Sequence, residues 1–210
     1  MSNRRAFVRY SAAAAGALAA NALVTDRSLA QATPIPACEP EDPYAKLPPA
    51  PSFTITSTDF SDGEEMPEAM RGDGNGQNRS PQLSWESFPP ETKSFAVTMF
   101  DADAPTPSGF WHWVVINIPA SATELPAGAG SEDGASLPSP AMQMPNDTRA
   151  KSYRGVAPPS GTHRYFIAVH ALDVETLDVD PESTPAFVSF NMLSHTLARA
   201  VVVAMASAAS

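Results

Sequence analysis

A single cysteine, Cys38, stands among 210 residues, so no internal disulfide can hold the fold, even in an oxidising compartment. Pro36 and Ala37 before it do not form a lipoprotein-type signal, which leaves a free or intermolecularly paired thiol. Basic residues are scarce, 13 against 23 acidic, for a formal net charge of −10. That balance opposes general binding to nucleic acid or to anionic lipid surfaces, while leaving a local pocket open. No apolar run reaches the ~18 to 20 residues that span a bilayer, so no transmembrane segment is expected. Internal repeats, tight histidine ligand pairs and a serine or cysteine in a nucleophile motif are also missing. These absences weigh against hydrolytic or metal chemistry and lead us to expect neither enzyme nor cofactor.

What the N-terminus does contain is directional. Arg4-Arg5-Ala6-Phe7-Val8 precedes an apolar run from Ala12 to Val24, and Ala30-Gln31-Ala32 supplies small residues for a signal peptidase. Residues 1–32 read as a twin-arginine-type signal, a route that carries folded proteins, with cleavage after Ala32. An amphipathic N-terminal helix is the rival reading. Under the first, the protein is periplasmic or secreted. Its mature form keeps 9 basic and 22 acidic residues, a formal charge near −13.

Seven of the twenty residues from Thr33 to Ser52 are proline, which fixes φ and removes backbone donors, so residues 33–52 are expected to form an extended tether. The folded domain, residues 53–207, is then expected to begin at Phe53-Thr54-Ile55-Thr56, where apolar and polar residues alternate. Ser94 to Phe100, Trp113 to Ile118 and Arg164 to Leu172 are short, rich in aromatic and β-branched residues, and predict central strands. Long polar stretches, Asp62 to Arg79 and Ala127 to Pro159, separate the runs, and loops of that length are usually functional or mobile. One helix is predicted from Thr184-Pro185 to about Ala198, with an N-cap threonine, proline at its first position, and Ala186, Phe190, Leu193 and Leu197 on one face. Ala200 to Met205 reads as a last strand. The fold class is mainly β: an antiparallel β-sandwich with one or two peripheral helices.

Strand parity then selects candidate site residues. Asp101 and Asp103 continue the face of Phe95, Val97 and Met99 past a strand end; His112 shares parity with Val114 and Ile116; His163 shares it with Tyr165, Ile167 and Val169. Each polar group ends an otherwise apolar face, as in the lining of a small pocket. Each also has a plainer reading: the acids as a strand end leading into a turn before Pro105, the histidines as structural residues, and Tyr165 as core with its hydroxyl outward. Their joint occurrence on three strands favours the pocket.

The motifs Asp101-Ala102-Asp103-Ala104-Pro105, Gly109-Phe110-Trp111-His112-Trp113 through Pro119, and Pro158-Pro159-Ser160-Gly161-Thr162-His163-Arg164-Tyr165 resemble the phosphatidylethanolamine-binding protein family, in particular its bacterial Raf kinase inhibitor-like branch. The resemblance covers about residues 53–206, with support from Asn78 to Trp85, His170 to Asp173 and Thr184 to Ala198. It implies a two-sheet sandwich with a small cavity for phosphate-like anions, including phospholipid head groups, lined by Asp101, His112, His163 and Tyr165. Asp103 would help shape the loop, and the Gly155 loop would offer backbone amides. It also implies a homodimer through the helix and its neighbouring strands. The chain departs from the pattern at Ala102, where proline is usual, and at Arg149 and Ser152, where glycine is.

Three functions follow as expectations. The first is an exported binding protein for a small anion or phospholipid head group. The second is an inhibitor of an exported hydrolase, acting through an exported protein partner. The third is a hydrolase or metalloenzyme using Asp101, Asp103, His112 and His163.

Overall fold

A computed structural model of the chain describes residues 42–74 and 76–209. The segment read as a signal sequence, its expected cleavage site, Cys38 and the first part of the proline-rich segment lie outside these residues. The described strands are β1 (Thr54–Thr56), β2 (Leu83–Glu86), β3 (Ser94–Asp101), β4 (Phe110–Pro119), β5 (Glu124–Leu125), β6 (Met142–Gln143), β7 (Thr162–Leu172) and β8 (Thr196–Ser207). The helix α1 (Pro185–Met192) precedes β8.

Two antiparallel sheets form, one ordered β1-β2-β5 and one ordered β6-β4-β3-β7-β8. Alternation along the long strands produces this layering. Phe95, Val97 and Met99 of β3, with Ile167 and Val169 of β7, turn one face of the large sheet toward Leu83, Trp85 and Leu125 of the small one, and all are buried. Trp85 meets the Phe95 ring edge-on at 5.3 Å between the sheets. The mainly β antiparallel sandwich expected from the pattern is the fold observed, with little helix around it.

The opposite face of the large sheet is buried as well, which explains why β3, β4 and β7 read as nearly continuous apolar runs. Ala96, Val114, Ile116 and Leu172 pack there against Leu177 and against Val188 and Met192 of α1. Residues 43–50 lie on the same side. The Tyr44 hydroxyl is 3.1 Å from Thr98 Oγ1, Arg199 donates from Nη2 to the Pro48 carbonyl at 3.1 Å, and the Arg199 amide donates to the Pro51 carbonyl at 2.9 Å. This described part of the proline-rich segment is thus strapped to the sheet rather than extended away from it.

Two further expectations change at the C-terminal end. Thr184 caps α1 as predicted, accepting from the Phe187 amide at 3.3 Å, but the helix ends at Met192 and β8 begins at Thr196. Its buried side is Pro185, Val188 and Met192; Phe190 is 69% exposed and Leu193 38%. The reason lies in β8, whose residues Ala198, Ala200, Val202, Ala204 and Ala206 alternate onto the buried face while the strand pairs with β7 over its whole length. Alanine favours helix locally, and this long pairing overrides that preference.

Candidate functional site

The candidate residues converge where β3, β4 and β7 end together. Asp101, the last residue of β3, pairs directly with Tyr165 on β7 and with Phe110 on β4. His163 lies two residues from Tyr165 on the same face, and its Nδ1–H donates to Asp101 Oδ2 at 2.8 Å. The other carboxylate oxygen of Asp101 accepts the Asp103 amide at 2.9 Å, which fixes the turn out of the strand. Asp101 is 3% exposed and His163 6%.

His112 reaches the same face by a different route. Met99 pairs with Trp113 and Phe100 with Trp111, so one residue of β4, His112, is left over between them. This β-bulge reverses the parity expected from the sequence: Val114 and Ile116 pack on the far side of the sheet, while the His112 ring lies edge-on to Tyr165 at 5.1 Å and beside Phe110 at 4.8 Å. A bulge re-aims a side chain in this manner at many binding sites. His112 Nδ1–H donates to the Arg154 carbonyl at 2.7 Å, and the Arg154 amide donates back to the His112 carbonyl at 2.9 Å. A carbonyl can only accept, so the proton of the neutral ring sits on Nδ1 and Nε2 carries a lone pair. Burial first of all holds the His112 pKa below the usual histidine range.

The Tyr165 hydroxyl is fully buried and meets no partner at full hydrogen-bond geometry among the described residues, the side chain that acts on it being the Asp101 carboxylate. Burial, and then the charge of Asp101, pushes its pKa far upward, so it remains a donor at any physiological pH. The site therefore offers one committed donor, one imidazole lone pair, and a carboxylate already engaged by a second imidazole.

Two sequence-based assignments change. Asp103 turns away from the pocket: its carboxylate receives the Arg164 amide, Nε and Nη2, all at 2.8 Å, and this clamp holds its pKa below the ordinary aspartate value. The Gly155 amide is not free for a ligand, because it donates to Asn78 Oδ1 at 2.6 Å. The glycine is needed for space, since a Cβ there would run into the Gly72 backbone.

Sequence reasoning also missed Arg71 and Asn78. Arg71 is anchored by Asp73 and by the Ser207 carbonyl, and its charge is felt at Tyr165; that of Arg154 is felt at His112. Asn78 sits at φ 52°, and its Nδ2 donates to the Tyr153 carbonyl at 3.2 Å, tying the loop around residue 78 to the one around residue 154. Both residues lie in the Asp62–Arg79 stretch, where periodicity carries no signal. Lys151, in the loop that leads to Gly155, pairs with Glu182 at 2.5 Å. Asn146 organises the loop that precedes Gly155: its Nδ2 donates to the Ser152 carbonyl, and its Oδ1 accepts from the amide and hydroxyl of Thr148. Arg149 stands at φ 72°, the left-handed conformation in which glycine is least strained. Among the described residues, no three His, Cys, Asp or Glu side chains are grouped to hold a metal ion.

Two antiparallel sheets, with a carboxylate, two histidines and a tyrosine gathered at the strand ends of the larger, define a β-sandwich carrying a small polar pocket. The chain belongs to the phosphatidylethanolamine-binding protein family, whose model matches residues 56–207. It is 47% identical over 157 residues to the UPF0098 protein YbhB of Escherichia coli K12, covering 73% of this chain and 99% of that one. Identity to E. coli YbcL is 42% over 158 residues, covering 73% and 86% of the two chains. The crystal structure of YbcL, described as a new member of the mammalian family, superposes with a TM-score of 0.72 at 40% identity over 75% of this chain and 99% of that one. A Chlamydia trachomatis homologue, described as a putative phosphatidylethanolamine-binding protein, gives 0.66 at 27% identity, covering 76% of this chain and all of that one.

Proposed function

We propose that this protein is an exported binding protein whose strand-end pocket takes a phosphate-like group, either a free phosphate ester or a phospholipid head group. The observation that carries the reading is the Tyr165 hydroxyl: fully buried, held protonated beside Asp101, without a partner at full hydrogen-bond geometry among the described residues, and in ring contact with His112. A buried donor without a partner costs stability, and a ligand oxygen would remove that cost.

The tautomer of His112 adds a constraint. With Nδ1–H given to Arg154, Nε2 can accept a hydrogen bond from the P–OH of a phosphate monoanion, or be protonated itself and then donate to the dianion. Either state brings one more proton into the complex than a bare dianion facing neutral imidazole. Arg71 and Arg154 supply positive potential at close range in a chain that is otherwise strongly acidic. Within roughly one Debye length of ~8 to 10 Å that local potential outweighs the distant net charge.

The role proposed is binding without turnover. The test is titration calorimetry with inorganic phosphate and phosphoethanolamine, beside vesicles with and without phosphatidylethanolamine to separate free anion from lipid head group. Heats that saturate in the millimolar range support the reading, at roughly −4 kcal/mol. No saturable heat with any of these probes removes it.

A further inference from the structure

On the other face of the large sheet, away from His112 and Tyr165, a cavity of about 300 Å³ lies between the strap of residues 43–50 and helix α1. Thr98 and Phe100 of β3, Trp111 of β4 and His170 of β7 line it, with Met192 of α1 and Leu193 just after it. The Phe100 and Trp111 rings are 4.6 Å apart. Of these polar groups, the Thr98 hydroxyl is already bonded to Tyr44 at 3.1 Å. His170 is different: it is 5% exposed, and its buried Nδ1 has no hydrogen-bond partner among the described residues. Burial, and then the charge of Arg199, pushes its pKa down to about 3, so it presents one donor and one acceptor and no charge.

We propose that this cavity is a second binding site, for uncharged aromatic molecules of about two fused rings that carry one hydroxyl or carbonyl group to pair with His170. Size supports the class, since a dry apolar cavity of about 150 Å³ accommodates a single benzene ring and this one is twice as large. The walls support it too: aromatic, proline and methionine side chains contact flat rings over a large area without needing polar partners. Lys46 and Arg199 are the charged residues of the lining, so an organic cation would meet like charge. Arg199 Nη2 bonds the Pro48 carbonyl and its guanidinium lies 5.3 Å from the centre of the Tyr44 ring, while its Nε is buried without a partner among the described residues, so tighter binding of 2-naphthoate than of 2-naphthol would overturn the uncharged class. The strap contributes Tyr44 and Leu47 to the walls, so the site depends on the residues that join the proline-rich segment to the domain.

The test uses the full chain and 2-naphthol as probe, followed by tryptophan fluorescence and by titration calorimetry. Saturable one-to-one binding is expected, with a dissociation constant in the tens of micromolar. Ser189 lines the cavity from the surface of α1, and Ser189→Trp should fill it and weaken binding at least tenfold while leaving the thermal midpoint nearly unchanged. His170→Leu should weaken 2-naphthol about tenfold but leave naphthalene bound as tightly as in the parent. His112→Ala should not alter either. Absence of saturable binding up to the solubility limit, or unchanged binding in Ser189→Trp, would overturn the site. Equal affinity for 2-naphthol in His170→Leu and the parent would overturn the assigned ligand class, as would tighter binding of a fatty acid than of 2-naphthol.

Discussion

His163 and Asp101 form a buried pair, Nδ1 to Oδ2 at 2.8 Å, although neither is the other's direct partner across the sheet. Asp101 lies opposite Tyr165, and His163, two residues away on the same face, reaches back over the strand end to the carboxylate. The carboxylate thus joins three elements: β3, β7 and the turn held through the Asp103 amide.

Replacing it should therefore cost stability as well as binding. Asp101→Ala leaves the His163 ring and the Asp103 amide without their acceptor, an expected loss of about 1.5 to 3 kcal/mol in urea unfolding. Asp101→Asn keeps one acceptor oxygen and should lose less. A double substitution with His163→Ala should be less destabilising than the sum of the single ones. Strict additivity would show that the pair is not coupled.

The pocket residues should both register the ligand's charge. His112→Ala and Tyr165→Phe should each weaken phosphate binding by about 1.5 to 3 kcal/mol, because both bonds are to a charged ligand. With the His112 pKa held low, affinity for sulfate, which stays fully ionised, should rise as the pH falls below ~6.5. A flat sulfate profile in calorimetry would place the proton elsewhere.

Stability should depend on pH through the same physics. His112 and His170 have pKa values below that of an unfolded histidine, so over the acidic range the unfolded chain binds more protons than the folded one. Stability is then fully present above ~6.5 and declines as the pH falls, by up to about 1.4 kcal/mol per unit for each histidine that stays neutral in the fold. Urea midpoints between pH 7 and 5, above the main carboxylate range, should show the slope, and His170→Phe should reduce it.

Arg149 is a backbone prediction. At φ 72° a glycine should be tolerated without loss, whereas Arg149→Val should cost about 1 kcal/mol or more, since a β-branched side chain disfavours that conformation. Thermal melts of the two variants check the order.

Export rests on residues outside the described ones. Exported protein should begin at Thr33 by mass spectrometry, and Arg4→Lys with Arg5→Lys should leave it in the cytoplasm if the twin-arginine reading holds. Normal export of that double variant would refute it.

The sequence by itself determined the period-2 strands, the capped start of α1 and the grouping of Asp101, His163 and Tyr165, because those depend on local alternation and on short motifs. It also carried the family resemblance that the comparisons bear out. Only the tertiary structure decided how His112 enters the site, since a bulge is a mismatch between two strands and neither strand records it alone. In the same way, the length of β8 depends on its pairing with β7, and the fate of Asp103 on Arg164, its partner 61 residues away. Proline content predicted a free tether, but burial against the sheet, through Tyr44 on Thr98 and Arg199 on Pro48, holds residues 43–50 in place. Local pattern describes what a segment can form; which face, length and partner it takes is set by contacts between segments far apart in the chain.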